Sequence, residues 1–389
     1  MLIEQSLSLY IHIPWCVEKC PYCDFNSHAL PHKNSNKESG LPELAYVEEL
    51  IKDLDNDINR FSLQQRKLHT IFIGGGTPSL FSAQAIESLL TQVLSRFDYD
   101  KDIEITLEAN PGTVEAEKFI GFFNGGVSRL SVGVQSFESD KLIKLGRIHD
   151  SQQARNAASL ADSCGVKSFN LDLMHGLPNQ SIENALDDLK TAISLNPSHL
   201  SWYQLTIEPN TAFHSKPPTL PKDETLWNIQ DQGFELLAQA GYEQYEISAF
   251  SKKNYQCQHN LNYWKFADYL GIGCGAHGKI TDTKQQKIYR TVKVKHPKGY
   301  LDQTREHLDH LNEVDKAELP FEYMMNRLRL FSSFSLAEYQ GATGLSADSI
   351  LPILSNARDK RLLENNGENW RVTQHGHRYL NDLLEMFLS

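Results

Sequence analysis

The sequence predicts an α/β fold: a partial or nearly closed barrel of the (β/α)6 type, followed by a small C-terminal helical module of winged-helix order. Three observations carry this. Short apolar segments alternate with amphipathic ones over the first 250 residues, the pattern of repeated β-α units around a parallel sheet. The far ends of the apolar segments repeatedly carry glycine or polar residues: Gly74 to Thr77, Glu108 with Asn110, Gln135 with Ser136, and Asp172 with His175. None of these apolar segments is followed by G-x-G-x-x-G, which argues against a two-halved dinucleotide fold. In a barrel, functional groups gather at the C-terminal strand ends.

In chain order, strands are expected at SLYIHI (8–13), TIFIGG (70–75), EITLEAN (104–110), RLSVGVQS (129–136), FNLDLMHG (169–176) and LSWYQLTI (200–207), with YEQYEIS (242–248) as a seventh candidate. Between the first two, Val47, Leu50, Ile51, Leu54, Ile58 and Phe61 recur at helical spacing and predict a helix over 42–61. The segment 181–195 shows the same pattern. These units make up a barrel domain, 1–250. Past it the alternation fades, so 251–315 is expected to be a loop-rich second functional region carrying QCQHNLNYW and GIGCGAHG. The remainder, 316–389, starts helical and ends in WRVTQHGHRYLNDLLEMF, the strand-turn-helix order of a small winged-helix module.

With 40% hydrophobic and 22% charged residues among 389, the chain reads as an ordinary globular protein. A net charge of -11 argues against a broad footprint for nucleic acid or anionic membrane, so the winged-helix-like end is expected to contact protein or act as a lid. The start, MLIEQSLSLYIHI, lacks the basic and apolar regions of a signal peptide, and no apolar run approaches the roughly 18 residues of a membrane span. A cytoplasmic protein without a transmembrane segment is the expectation.

Cysteines lie at 16, 20, 23, 164, 257 and 274. Cys164 and Cys274 read as buried small apolar residues. Cys16, Cys20 and Cys23, within WCVEKCPYCDF, follow the first strand directly and fall on the first β-α loop. A cluster of three points to metal or redox chemistry rather than disulfides. Three readings stand open. A Cys3His zinc site would take His28 as its fourth ligand. A redox C-x-x-C would use Cys20 and Cys23 and leave Cys16 idle. An iron-sulfur cubane on three thiolates would leave one iron open to an outside ligand.

C-x3-C-x2-C after a first strand resembles the radical S-adenosylmethionine (SAM) superfamily. YIHIPWC, CPYCDF, FIGGGTPS, EANPG, SVGVQSF, LGRIH and FNLDLMHGLP together resemble its branch of oxygen-independent coproporphyrinogen III oxidase-like proteins, over nearly the whole chain. The resemblance implies a [4Fe-4S] cluster on Cys16, Cys20 and Cys23, with the SAM methionine chelating the open iron. It implies that the loop with Gly75, Gly76 and Thr77 meets the methionine moiety, since bare backbone permits close approach. It also implies SAM contacts at Tyr10, Tyr22, Glu108, Gln135, Arg147 and Asp172. Read alone, each of these could complete a barrel-end hydrogen bond, an ion pair or a core.

Two features divide the branch. Its oxidase carries C-x3-C-x2-C-x-C and a substantial arm before the first strand; here Phe25 stands in the fourth position, and about seven residues precede the strand. His259, Asn260, Tyr263 and Trp264 match the H-N-x-x-Y-W motif of a heme-chaperone relative. The resemblance thus implies a heme contact at His259, Tyr263 and Trp264, with imidazole as a common axial ligand and flat rings for the porphyrin. Cys257 and His277 are weaker candidates for the same role. The expected function is to bind heme and pass it to apo-hemoproteins, respiratory membrane enzymes among them, through transient partner contact at the membrane and with a homodimer implied. The alternative is oxidative decarboxylation of coproporphyrinogen III.

Overall fold

The computed structural model describes residues 1–30, 40–113 and 115–388. Six strands follow one another in sequence and pair in parallel, neighbour to neighbour: β1 (Leu7–Ile13), β2 (Lys67–Gly75), β3 (Asp98–Ala109), β4 (Arg129–Gln135), β5 (Ser168–His175) and β6 (His199–Gln204). Each matches an apolar run expected to be a strand. Period-two alternation sorts the side chains of β1: Leu7, Leu9, Ile11 and Ile13 enter the main apolar core with Tyr46, Leu50 and Leu54 of the helix Glu43–Phe61. Ser8, Tyr10 and His12 are left to face the barrel interior. The expected helix at 181–195 is found as Ile182–Ser194, started by a capping box between Ser181 and Asn184.

The seventh candidate strand is β7 (Glu243–Glu246), which pairs antiparallel with β8 (Ala249–Ser251); β8 in turn lies antiparallel against β6. On the other side of β1 the region 251–315 departs from expectation. It is not loop-rich: after the short helix Gln258–Trp264 come β9 (Asp268–Ile272), parallel to β1, and an antiparallel run of β10 (His277–Asp282), β11 (Lys287–Lys293) and β12 (Leu308–Glu313). The reason is chemical. Lys279, Thr281, Thr291 and Lys293 are buried in these strands, so the apolar alternation that marks a strand is interrupted by lysines with hidden partners. Lys279 donates to Asp268 at 3.1 Å, and Lys293 to Asp57 at 2.7 Å.

The sheet has twelve strands in the order β12-β11-β10-β9-β1-β2-β3-β4-β5-β6-β8-β7, running from edge to edge without closing, hence a partial barrel. A second core gathers Tyr323, Phe334, Tyr339, Leu354, Trp370 and Leu383. Around it the helices Leu319–Arg327, Leu336–Thr343 and Leu351–Asp359 pack with a small sheet of Phe334–Ser335, Asn369–Val372 and Leu363–Asn366. That is the winged-helix order expected of the C-terminal segment.

Candidate functional site

β1 delivers the chain into the cysteine loop, which is closed by a two-residue parallel pairing of Trp15–Cys16 with His28–Ala29. One residue fastens the loop. The Asn26 carbonyl accepts from His12 Nε2 at 2.9 Å, while its amide Nδ2 donates to the carbonyls of Cys274 and Lys295, each at 2.9 Å. A carbonyl only accepts, so the His12 proton sits on Nε2, and Nδ1 accepts from Tyr10 Oη at 2.9 Å. Burial lowers the His12 pKa to about 4, which keeps the ring neutral. Gly275 has φ +73°, and a Cβ there would lie 2.2 Å from Asn26 Nδ2, so this turn requires glycine.

All three loop cysteines are free thiols, Cys16 buried and Cys20 and Cys23 half-buried. Burial pushes the Cys16 thiol up to about 11, so metal binding must displace its proton. Arg147 aims Nη1 at Cys20 Sγ, 3.6 Å away, and donates Nη2 to the Gly133 carbonyl at 2.7 Å; its buried Nε has no partner. Ser27 Oγ lies 3.6 Å from Cys23 Sγ. A zinc ion would draw its ligands to about 2.0–2.3 Å of one point. Among the described residues no three His, Cys, Asp or Glu side chains converge in that way. His28 instead faces Asn26 Oδ1 at 3.3 Å and packs its ring against His296. Three free thiols on one loop, with the Arg147 guanidinium beside Cys20, fit a cluster whose irons each take one thiolate.

The strand ends beside the loop carry the remaining polar groups. The Gly75 N–H donates to Glu108 Oε2 at 3.0 Å; Gly75 has φ +116°, and a Cβ there would sit 2.5 Å from the His12 ring. Gly76 lies against the Trp15 carbonyl, to which the Thr77 N–H donates at 2.7 Å. Glycine is therefore needed here for packing on the cysteine loop, whatever ligand the backbone meets. Burial, helped by the negative Asp172, raises the Glu108 carboxyl to about 8. Asp172 accepts from Ser131 Oγ at 3.0 Å and Asn170 Nδ2 at 2.8 Å. Gln135, at φ +70°, accepts from Tyr203 Oη at 2.8 Å. Tyr22 packs toward Phe213, their ring centres 6.4 Å apart.

Of these groups, Gly75 and Glu108 border a cavity of about 740 Å³. Tyr10, Gly75, Glu108 and Tyr263 line it, whereas Tyr22, Gly76, Thr77, Gln135, Arg147, Asp172, His259 and Trp264 are not among its lining residues. Residues that the sequence reading passed over for ligand contact line it too: His12, Asn26, Tyr269 and the rim lysines Lys19 and Lys295. A sequence signal existed only for His12, an inward position on a strand that enters the cysteine loop.

The H-N-x-x-Y-W segment is split by its helix. His259 is 1% exposed, held between Thr70 Oγ1 at 2.7 Å and Tyr263 Oη at 2.9 Å, and its backbone N–H donates to Glu104. Burial lowers its pKa to about 3. Trp264 turns away from the cavity toward Tyr245, Leu261 and Leu330, with the Arg329 guanidinium 4.3 Å above its ring. Cys257 is fully buried and directs its thiol to Glu104 Oε1 at 3.5 Å.

Six parallel βα units, a three-cysteine loop after the first strand and a polar strand-end cavity define a radical-SAM protein. The Radical SAM superfamily profile matches residues 10–192, and that of the HemN C-terminal domain matches residues 314–379. Similarity then runs from end to end. The heme chaperone HemW of Haemophilus influenzae is 55% identical, covering 98% of both chains, and that of Escherichia coli is 54% identical over 100% of both. The Bacillus subtilis relative of the same name is 34% identical over 98% of this chain and 99% of its own. The chain belongs to the heme chaperone HemW family. Among solved structures, the radical SAM enzyme coproporphyrinogen III oxidase (HemN) from E. coli matches with a TM-score of 0.80 at 23% identity, covering 99% of this chain and 90% of that one. At that identity the two share a fold.

Proposed function

We propose that this protein is a heme chaperone that binds heme together with a SAM-coordinated [4Fe-4S] cluster and transfers the heme to apo-hemoproteins, respiratory enzymes among them. The observation that carries this reading is end-to-end identity of 54–55% with relatives of that name. Cys16, Cys20 and Cys23 hold the cluster. When bound, it supplies an open iron to which the methionine end of SAM can attach.

The chain's own groups prepare that place. Arg147 lends positive charge to the Cys20 thiolate. Glu108 and Asp172 offer acceptors to the amine and ribose hydroxyls of SAM, and the Gly75–Thr77 turn keeps side chains out of its way. Tyr10 lines the cavity beside them, and Tyr22 and Gln135 are the further SAM contacts of this reading. Tyr263 presents the H-N-x-x-Y-W motif to the cavity. Among the described residues no helix is long and apolar enough to cross a membrane, so delivery to a membrane-bound acceptor rests on contact with that partner. A cytoplasmic homodimer bridged through the cluster is the expected working form.

The deciding experiment reconstitutes the cluster anaerobically and supplies heme, or coproporphyrinogen III with SAM and reductant, to the same preparation. Saturable heme binding, transfer to an apo-hemoprotein and no protoporphyrinogen formation are expected. Robust porphyrinogen turnover would sink the reading.

A further inference from the structure

We infer that heme sits at the mouth of the strand-end cavity with His277 as its iron ligand, and that His259 is a positioning residue for the cavity wall. This rests on the heme-chaperone reading and assigns residues to it.

The argument begins with what His259 has already given away. Thr70 Oγ1 donates to Ser8 Oγ at 2.7 Å, so toward His259 it acts as an acceptor and takes the proton on Nδ1. The lone pair on Nε2, the one an iron would need, therefore accepts from Tyr263 Oη at 2.9 Å. Both nitrogens are spent on protein partners and the side chain is shut off from solvent. What His259 does is hold the Tyr263 phenol in place. Tyr263 meets Tyr269 edge-on with ring centres 4.5 Å apart, and both rings line the cavity.

A histidine-ligated heme takes an imidazole with a free nitrogen, a flat apolar surface and cations for the two propionates at the solvent edge. The cavity mouth has all three. His277 opens β10, is exposed and lines the cavity, and among the described residues its ring makes no hydrogen bond. The neighbouring imidazoles are committed elsewhere: His28 to Asn26, and His296 to capping the turn Pro297–Tyr300 through the Lys298 N–H at 3.2 Å. Phe25, 61% exposed on the cysteine loop, offers an unpartnered ring to the same cavity. Lys19 and Lys295 supply the cations at the rim. Asp24 is the carboxylate there, outnumbered by these two.

The site also has a fixed relation to the cluster loop. Asn26, which ties that loop to Cys274 and Lys295, grips the same turn that ends in His277.

The test titrates hemin into the reconstituted full chain and reads the Soret band and the electron paramagnetic resonance of the ferric heme. His277→Ala should weaken binding roughly tenfold or more and erase the histidine-ligand signature, with added imidazole restoring it. His277→Met should move the spectrum toward thioether ligation. His259→Gln and Tyr263→Phe should each change affinity modestly, leave the ligand signature intact, and give no further change when combined. An unaltered spectrum in His277→Ala, or loss of the histidine signature in His259→Gln with His277 in place, overturns the assignment. If wild-type chain shows no saturable heme binding, the chaperone reading itself fails.

Discussion

Two buried polar clusters flank the same sheet and are built to opposite rules. Beneath β11, Lys293 donates to Asp53 at 2.5 Å and to Asp57 at 2.7 Å, while Asp53 also accepts from Tyr300 Oη at 2.7 Å and the Gly273 N–H at 3.2 Å. Every charge there has its partner. At the strand-end cavity the accounts stay open: Glu108 has a single hydrogen bond, Arg147 Nε has none, and three thiols wait on one loop. A buried charge is costly unless paired, so a scaffold pairs it. The unpartnered groups at the strand ends are those free to meet a ligand.

The contrast can be broken at either cluster. The largest effect is expected at the thiols: Cys20→Ala should reduce iron to background after anaerobic reconstitution and abolish the visible absorption of the cluster, with the far-UV circular dichroism unchanged. A variant that still assembles a full cluster would move Cys20 from the open cluster to the satisfied one. Next is Lys293→Met, which strands Asp53 and Asp57. Denaturant unfolding should show a loss of about 3–5 kcal/mol, the range for breaking a buried pair. A loss below about 1 kcal/mol would mean that this cluster too is slack.

Glu108→Gln tests the open side through pH. A carboxyl raised from about 4.3 to about 8 contributes stability that is complete below the lower value and lost as pH rises through the upper one. Between pH 5 and pH 8 the apo wild type should therefore lose on the order of 2 kcal/mol relative to the glutamine variant, a discounted figure because the side chain borders the cavity. Melting curves of both proteins at the two pH values read this directly; parallel curves would remove the strain from Glu108. The smallest effect is expected of Trp264→Leu, which removes the Arg329 stack at about 1 kcal/mol and should leave heme affinity within about twofold. A large affinity loss would return Trp264 to the heme site.

The six parallel strands were legible because β1 to β6 are buried on a helix-facing side that stays apolar, and the cysteine loop because three thiols within eight residues have few other uses. β9 to β12 were not. KITD and RTVK hide Lys279 and Lys293, and the carboxylates that make those lysines tolerable lie 11 to 240 residues away. His259 was opaque for the same reason: its partners Thr70 and Glu104 are 189 and 155 residues away, so no local pattern showed that its ring would be enclosed. The cavity-lining position of Tyr10 and Glu108 could be read because both stand at inward positions near strand ends.

The placement of β9 on the far side of β1 sets a timetable for synthesis. β1 is the first strand made, yet its second parallel neighbour emerges only with Asp268–Ile272. Until then one edge of β1 is bare, and Asn26 has neither the Cys274 nor the Lys295 carbonyl to hold. Such long-range pairing is slow to form. On the ribosome, the loop's contacts to Thr77 and Arg147 can form with the first strands, whereas its Asn26 fastening waits for nearly the last strands to join the sheet.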